Sequence, residues 1–235
     1  MTIAPTISLG DLVTEDPRRS RVLDDFGLDY CCGGQISLAD ACAAAGLDAR
    51  EVADALELPD RGPSPDWQSL SLADLARHIV DQHHAYLWRE LPRLGVLVEK
   101  VADVHGQRHP ELAQLRDDYR FLAQDLAAHL TKEERILFPG VLQLTEGEPE
   151  GLGGFSLAGP IEQMLSEHDV AGDVLRRMRE TTGGYAMPQD GCASYQAMLS
   201  GLEEMEGDLH QHIHKENNVL FPAVLEYERE VRGAA

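Results

Sequence analysis

The 235-residue chain is 43% hydrophobic and carries 41 acidic against 20 basic residues, a formal charge of −21. Phosphate binding needs clustered Lys and Arg, so this balance argues against nucleic acid and anionic membrane surfaces as partners. No run of about 18 uncharged apolar residues exists to span a bilayer, and Met1 to Leu12 lacks a basic segment followed by a long apolar one, so a cytoplasmic setting is expected. Four cysteines, adjacent Cys31 and Cys32 and isolated Cys42 and Cys192, are too few for a disulfide scaffold. The adjacent pair reads as reactive or metal-related.

In chain order, residues 1–58 read as a small domain of short helices. Asp16-Pro17 opens one that carries Val22, Leu23 and Phe26 and stops at Gly27. After the turn Asp29-Tyr30-Cys31-Cys32-Gly33-Gly34, Ser37 caps a helix ending at Gly46, and Asp48 with Glu51 starts another. Residues 59–66, with three prolines and a glycine, read as the linker. Residues 67–235 then hold four long apolar-striped helices. The first runs from Ser71, with Pro92 expected to kink or break it. The second opens at His109-Pro110, the third near Pro160 after a Gly- and Glu-rich loop over 145–158, and the fourth runs through Tyr195 and Leu209. No segment alternates with a strand period. The expected fold is all-α, an antiparallel four-helix bundle preceded by a small helical domain.

Two stretches share one pattern. His129-Leu130-Thr131-Lys132-Glu133-Glu134-Arg135-Ile136-Leu137-Phe138-Pro139 and His212-Ile213-His214-Lys215-Glu216-Asn217-Asn218-Val219-Leu220-Phe221-Pro222 both read H-x-x-x-E-x-x-[IV]-L-F-P. Positions i and i+4 share a helix face, and Ile136/Leu137 and Val219/Leu220 are expected to continue it inward. A single H-x-x-x-E is ordinarily a surface pair. These two lie 83 positions apart, and His84 and His168 lie 84 apart, so each half of the bundle offers one His on its first helix and one His-Glu pair on its second. Four imidazoles and two carboxylates suit iron, zinc or manganese, and two carboxylates able to bridge suit a dinuclear centre. Two His, one oxygen from each Glu and a solvent-derived bridge leave one open position on each six-coordinate ion, where a small molecule can bind. Spacing alone does not separate His84 from His83. The remaining histidines, His78, His105, His109, His210 and His214, read as surface or outer residues.

The paired H-x-x-x-E motifs resemble hemerythrin-like domains, and together with the Cys31-Cys32-Gly33-Gly34 turn the chain resembles, over nearly its whole length, the Repair of Iron Centers family of di-iron proteins. The resemblance implies a non-haem centre of two Fe ions, oxo- or hydroxo-bridged and spanned by two glutamates, with His84, His129, Glu133, His168, His212 and Glu216 as ligands. It selects His84 over His83 through the run from His78 to Leu91-Pro92. It also implies nitric oxide or another small diatomic and damaged iron–sulfur proteins as partners, and allows a homodimer.

The same resemblance gives Cys31 and Cys32 a catalytic role, in redox chemistry or in delivery of nitric oxide or iron. From the residues alone, two adjacent thiols can form a strained disulfide, bind a soft metal or carry a nitrosyl group. The function implied is repair of iron–sulfur clusters damaged by nitrosative or oxidative stress. Reduction of nitric oxide to nitrous oxide, donation of iron without turnover, and oxygen or nitric oxide sensing are the competing activities, so whether the chain is an enzyme stays open at this point.

Overall fold

The computed structural model describes residues 3–58, 67–146 and 154–233. The linker expected at 59–66 and residues 147–153 of the loop expected at 145–158 lie outside them. The chain is all-α. Among the described residues the only sheet-like pairing is an isolated antiparallel bridge between Ser8 and Ser37, and no helix is long and apolar enough to cross a membrane.

The helices are α1 (Leu9–Glu15), α2 (Arg19–Asp25), α3 (Leu38–Ala45), α4 (Ala49–Leu56), α5 (Leu72–Ile79), α6 (Ala85–His105), α7 (Leu112–Lys132), α8 (Phe138–Glu146), α9 (Ala158–Thr181), α10 (Ala193–Lys215) and α11 (Phe221–Gly233). They divide into two compact units. One holds Met1–Arg77, Val141–Ser156 and His210–Ala235, and the other His78–Gly140 and Leu157–Leu209.

In the first unit the short helices start where side chains can satisfy the orphan N–H groups of a first turn. Ser8 accepts from Asp11 N at 3.0 Å, Ser37 from Asp40 N at 3.2 Å and Asp48 from Arg50 N at 2.8 Å. Gly46 ends α3 at φ 70°, a conformation glycine takes without strain. Asp16 accepts from Arg18 N at 3.1 Å, so α2 begins two residues later than Asp16-Pro17 suggests. Leu9, Leu12, Leu23, Tyr30, Leu38, Val52 and Leu56 form the core of this unit, and Ile213 packs into it.

The second unit is an antiparallel four-helix bundle of α6, α7, α9 and α10 as far as Leu209. Its core is a continuous stack that includes Leu94, Leu115, Leu122, Leu175, Met198 and Leu202. Several buried polar groups are paired. Tyr119 Oη donates to Leu91 O at 2.6 Å, Arg177 holds Asp118 at 3.0 Å and Arg179 holds Glu206 at 2.7 Å.

Two features depart from the sequence reading. Pro92 does not break the helix, which runs from Ala85 to His105 through it. The interruption lies earlier, at Val80–His84, where the Ala85 N–H bonds five residues back to Val80 O. The same wide π turn recurs at Glu133–Leu137 and Glu216–Leu220, closed by the N–H groups of Phe138 and Phe221. Proline follows each of those phenylalanines. It cannot donate to the carbonyl four residues back and its ring crowds that carbonyl, so a widened turn just before it relieves the conflict. The extra residue rotates the helix beyond the turn. Leu137 and Leu220 are buried, but Ile136 is 54% exposed rather than continuing the inward face.

Candidate metal centre

Within the bundle unit, His84, His129, Glu133 and His168 come together, all nearly or fully inaccessible to solvent. His84 ends the first π turn, and Glu133 opens the second, one helical turn beyond His129. Glu133 Oε2 lies 3.4 Å from His84 Nε2 and 3.3 Å from His129 Nε2. His168, on α9, brings its Nε2 to 3.1 Å from His129 Nε2. His83 turns elsewhere, its Nδ1 2.9 Å from Asp208 Oδ1.

Each of the His84 and His129 rings is held from behind. His84 Nδ1 lies 3.1 Å from Glu134 Oε1, which also accepts from Trp88 Nε1 at 2.8 Å. The His84 ring stacks on Phe138. His129 Nδ1 lies 2.9 Å from Glu167 Oε2. Burial pushes Glu167 towards protonation. Hydrogen bonds from Lys132, His129 and Gln163 outweigh it and bring its carboxyl down to about 2. The carboxylate behind each ring can accept from Nδ1–H, the tautomer that leaves the Nε2 lone pair facing inward.

Imidazole Nε2 atoms converging on a buried carboxylate fit a cation between them. Ligand atoms about 2.1 Å from one ion and near right angles to each other lie about 3 Å apart, which matches the His129–His168 separation. The donor set therefore fits a nitrogen- and oxygen-ligated metal such as iron.

The first unit carries the other pair. His212, in the last turn of α10, and Glu216, opening the third π turn, are both buried, with Nε2 and Oε1 3.1 Å apart. The helix that carries them is covered on its other side as well. His214, expected at the surface or as an outer residue, is fully buried. Its ring contacts Tyr30 and Trp67, and its Nε2 lies 3.2 Å from Thr14 Oγ1. Burial pushes its pKa down to about 4, so the ring is neutral. His105, also expected outside, is buried against Tyr195 and Cys192 in the bundle unit.

Cys31 and Cys32 lie in the first unit, against the π turn that begins with Glu216. Asn218 Nδ2 donates to Cys31 O at 3.0 Å and to Tyr30 O at 3.3 Å, and Asn217 Nδ2 donates to Cys31 O at 3.3 Å. Gly34 permits the approach, since a Cβ there would collide with Asn218 Oδ1 and Tyr30 O. Sequence reading missed Glu134, Glu167, Asn217 and Asn218. The first two look like ordinary surface acids beside stronger candidates. The Phe-Pro steps at 138–139 and 221–222 were the available sign of the π turns.

Residues 75–224 match the hemerythrin HHE cation binding domain, and residues 6–60 match a domain of unknown function, DUF542. The chain belongs to the hemerythrin HHE family. All six His and Glu positions discussed above fall inside the hemerythrin match. Along the chain it is also similar to proteins named iron-sulfur cluster repair protein YtfE. Those of Citrobacter koseri, Escherichia coli O157:H7 and Shigella boydii serotype 4 are each 37% identical over 218 residues, covering 92% of this chain and 96% of theirs. The likeness to this repair group thus takes in both the N-terminal helices with Cys31-Cys32 and the hemerythrin domain.

Proposed function

We propose that the chain is a non-haem di-iron protein that serves the repair of iron–sulfur clusters damaged by nitrosative or oxidative stress. In this reading His84, His129, Glu133, His168, His212 and Glu216 act as one ligand set, with Glu133 and Glu216 bridging. The observation that carries it is Glu133. One buried carboxylate oxygen stands 3.4 Å from His84 Nε2 and 3.3 Å from His129 Nε2, placed to serve a ligand on either side of it. The repair role rests on the relatives' name and on their similarity across both matched regions.

Held by these six residues, two ferrous ions would supply the two electrons that reduction of two nitric oxide molecules, with two protons, to nitrous oxide and water requires. The chain's part is to orient and to exclude. Glu134 and Glu167 hold the His84 and His129 rings with Nε2 inward, so the ligand geometry is set before any small molecule arrives. Phe138, buried and stacked on the His84 ring, limits water on that side of the ring.

Anaerobic incubation of the diferrous protein with nitric oxide, with gas chromatography for nitrous oxide, tests the activity. Nitrous oxide formed over repeated turnovers supports reduction. No product, together with iron transfer to a protein lacking its cluster, replaces reduction by iron donation.

A further inference from the structure

Asp29, Cys31 and Cys32 form a compact cluster that the ligand set above does not use. Each offers one ligand atom, and the three atoms lie within 4.8 Å of one another. The two sulfurs are 3.9 Å apart, and Cys31 Sγ is 3.2 Å from Asp29 Oδ1. A tetrahedral ion with metal–sulfur bonds of about 2.3 Å sets two thiolates about 3.8 Å apart, and a thiolate and a carboxylate oxygen about 3.5 Å apart. Two of the three edges among these atoms thus already match such a tetrahedron to within a few tenths of an ångström, and the third lies within 4.8 Å.

The turn is also fixed from three sides. Asp29 Oδ1 accepts from the N–H groups of Cys31 at 3.1 Å and Cys32 at 2.9 Å. Asn217 and Asn218 hold the Cys31 carbonyl. A Cβ at Gly33 would press on Asp29 O at 2.8 Å. Little backbone ordering remains for a ligand to impose. Cys31 is buried while Cys32 is half-buried and Asp29 exposed, so an ion can enter from solvent without opening the core.

We infer that Asp29, Cys31 and Cys32 are a cation site of their own, built for one thiophilic divalent ion of the zinc class. Binding releases both thiol protons to solvent, and the ion takes two thiolates and one carboxylate oxygen. Three protein donors leave the fourth corner to water or an external thiol, the pattern of an exchangeable rather than a closed structural site. The sulfur-rich set separates it in kind from the His and Glu ligands, which favour iron.

Cobalt(II) is the probe, added anaerobically to the full-length protein carrying its own iron, because thiolate-to-cobalt charge transfer reports sulfur ligation directly. The expected result is one equivalent that shows this absorption and is displaced by zinc(II). Cys32→Ser should abolish the absorption, and Cys192→Ser should leave it unchanged. Asp29→Asn keeps an acceptor for the two N–H groups, so the turn stays folded, and it should weaken cobalt binding. His129→Gln should keep the absorption whether or not the iron reading holds, which separates the two proposals. Absence of charge transfer in the wild type, its persistence in Cys32→Ser, or unchanged affinity in Asp29→Asn would overturn the site.

Discussion

The side-chain amide of Asn218 donates to the backbone carbonyl of Cys31 at 3.0 Å, tying the vicinal-thiol turn to the π turn that begins with Glu216. Asn218 also reaches Tyr30 O and His214 Nδ1 and accepts from Gln35 Nε2, so Asn218→Ala removes both half-buried bonds that hold the thiol turn, about 1 kcal/mol each, along with those two contacts. Alkylation of Cys31 and Cys32, followed by mass spectrometry, should become several-fold faster. Gly34→Ala should act in the same direction, because its Cβ displaces the Asn218 amide.

Glu134 and Glu167 set the rings of His84 and His129 without belonging to the proposed ligand set. Replacing either with Leu should lower metal affinity by about 10–100-fold. Glu134→Gln and Glu167→Gln retain an acceptor and should recover part of it. Metal titration of the purified variants reads the difference.

The widened turn at Glu133–Leu137 makes a paired stability prediction. Leu137→Ala empties a buried position and should cost about 2–5 kcal/mol in chemical denaturation. Ile136→Ala, at a position 54% exposed, should stay within about 0.5 kcal/mol. An uninterrupted α-helix would bring the two values closer together.

Cys192 should titrate apart from the vicinal pair. Hydrogen bonds from the Tyr195 backbone and then from His105 favour its thiolate and bring it down to about 7. The hydrogen bond with Cys32 and then burial push Cys31 well above the ordinary thiol range. Alkylation of Cys192 should therefore rise with pH to half its maximum near pH 7, slow below it, and precede Cys31 at neutrality. His105→Phe should move that midpoint upward. A midpoint that stays put would remove His105 from the explanation.

The long helices, the Ser37, Gly46 and Asp48 caps and the buried His129/Glu133 and His212/Glu216 faces are legible in the sequence, because i,i+4 spacing and cap residues act within one turn of backbone. Three things are not. The π turns shift the face by one residue, which is why Ile136 points out while Leu137 points in. Pro92 reads as a breaker but sits within an unbroken α6, whereas the interruption that places His84 lies at Val80–His84. His214 reads as an outer residue because α10 shows one apolar stripe near it. Its burial comes from Tyr30, Trp67 and Thr14, which are far away along the chain.

The central claim is that Glu133 and Glu216 bridge two irons held by the four histidines. Iron analysis of the purified wild type, Glu133→Leu and Glu216→Leu, with the visible spectrum of each, tests it most directly. Bridging requires about two irons per chain in the wild type, falling towards one or none in each variant with loss of the spectrum. Full iron and an unchanged spectrum in both variants would contradict it.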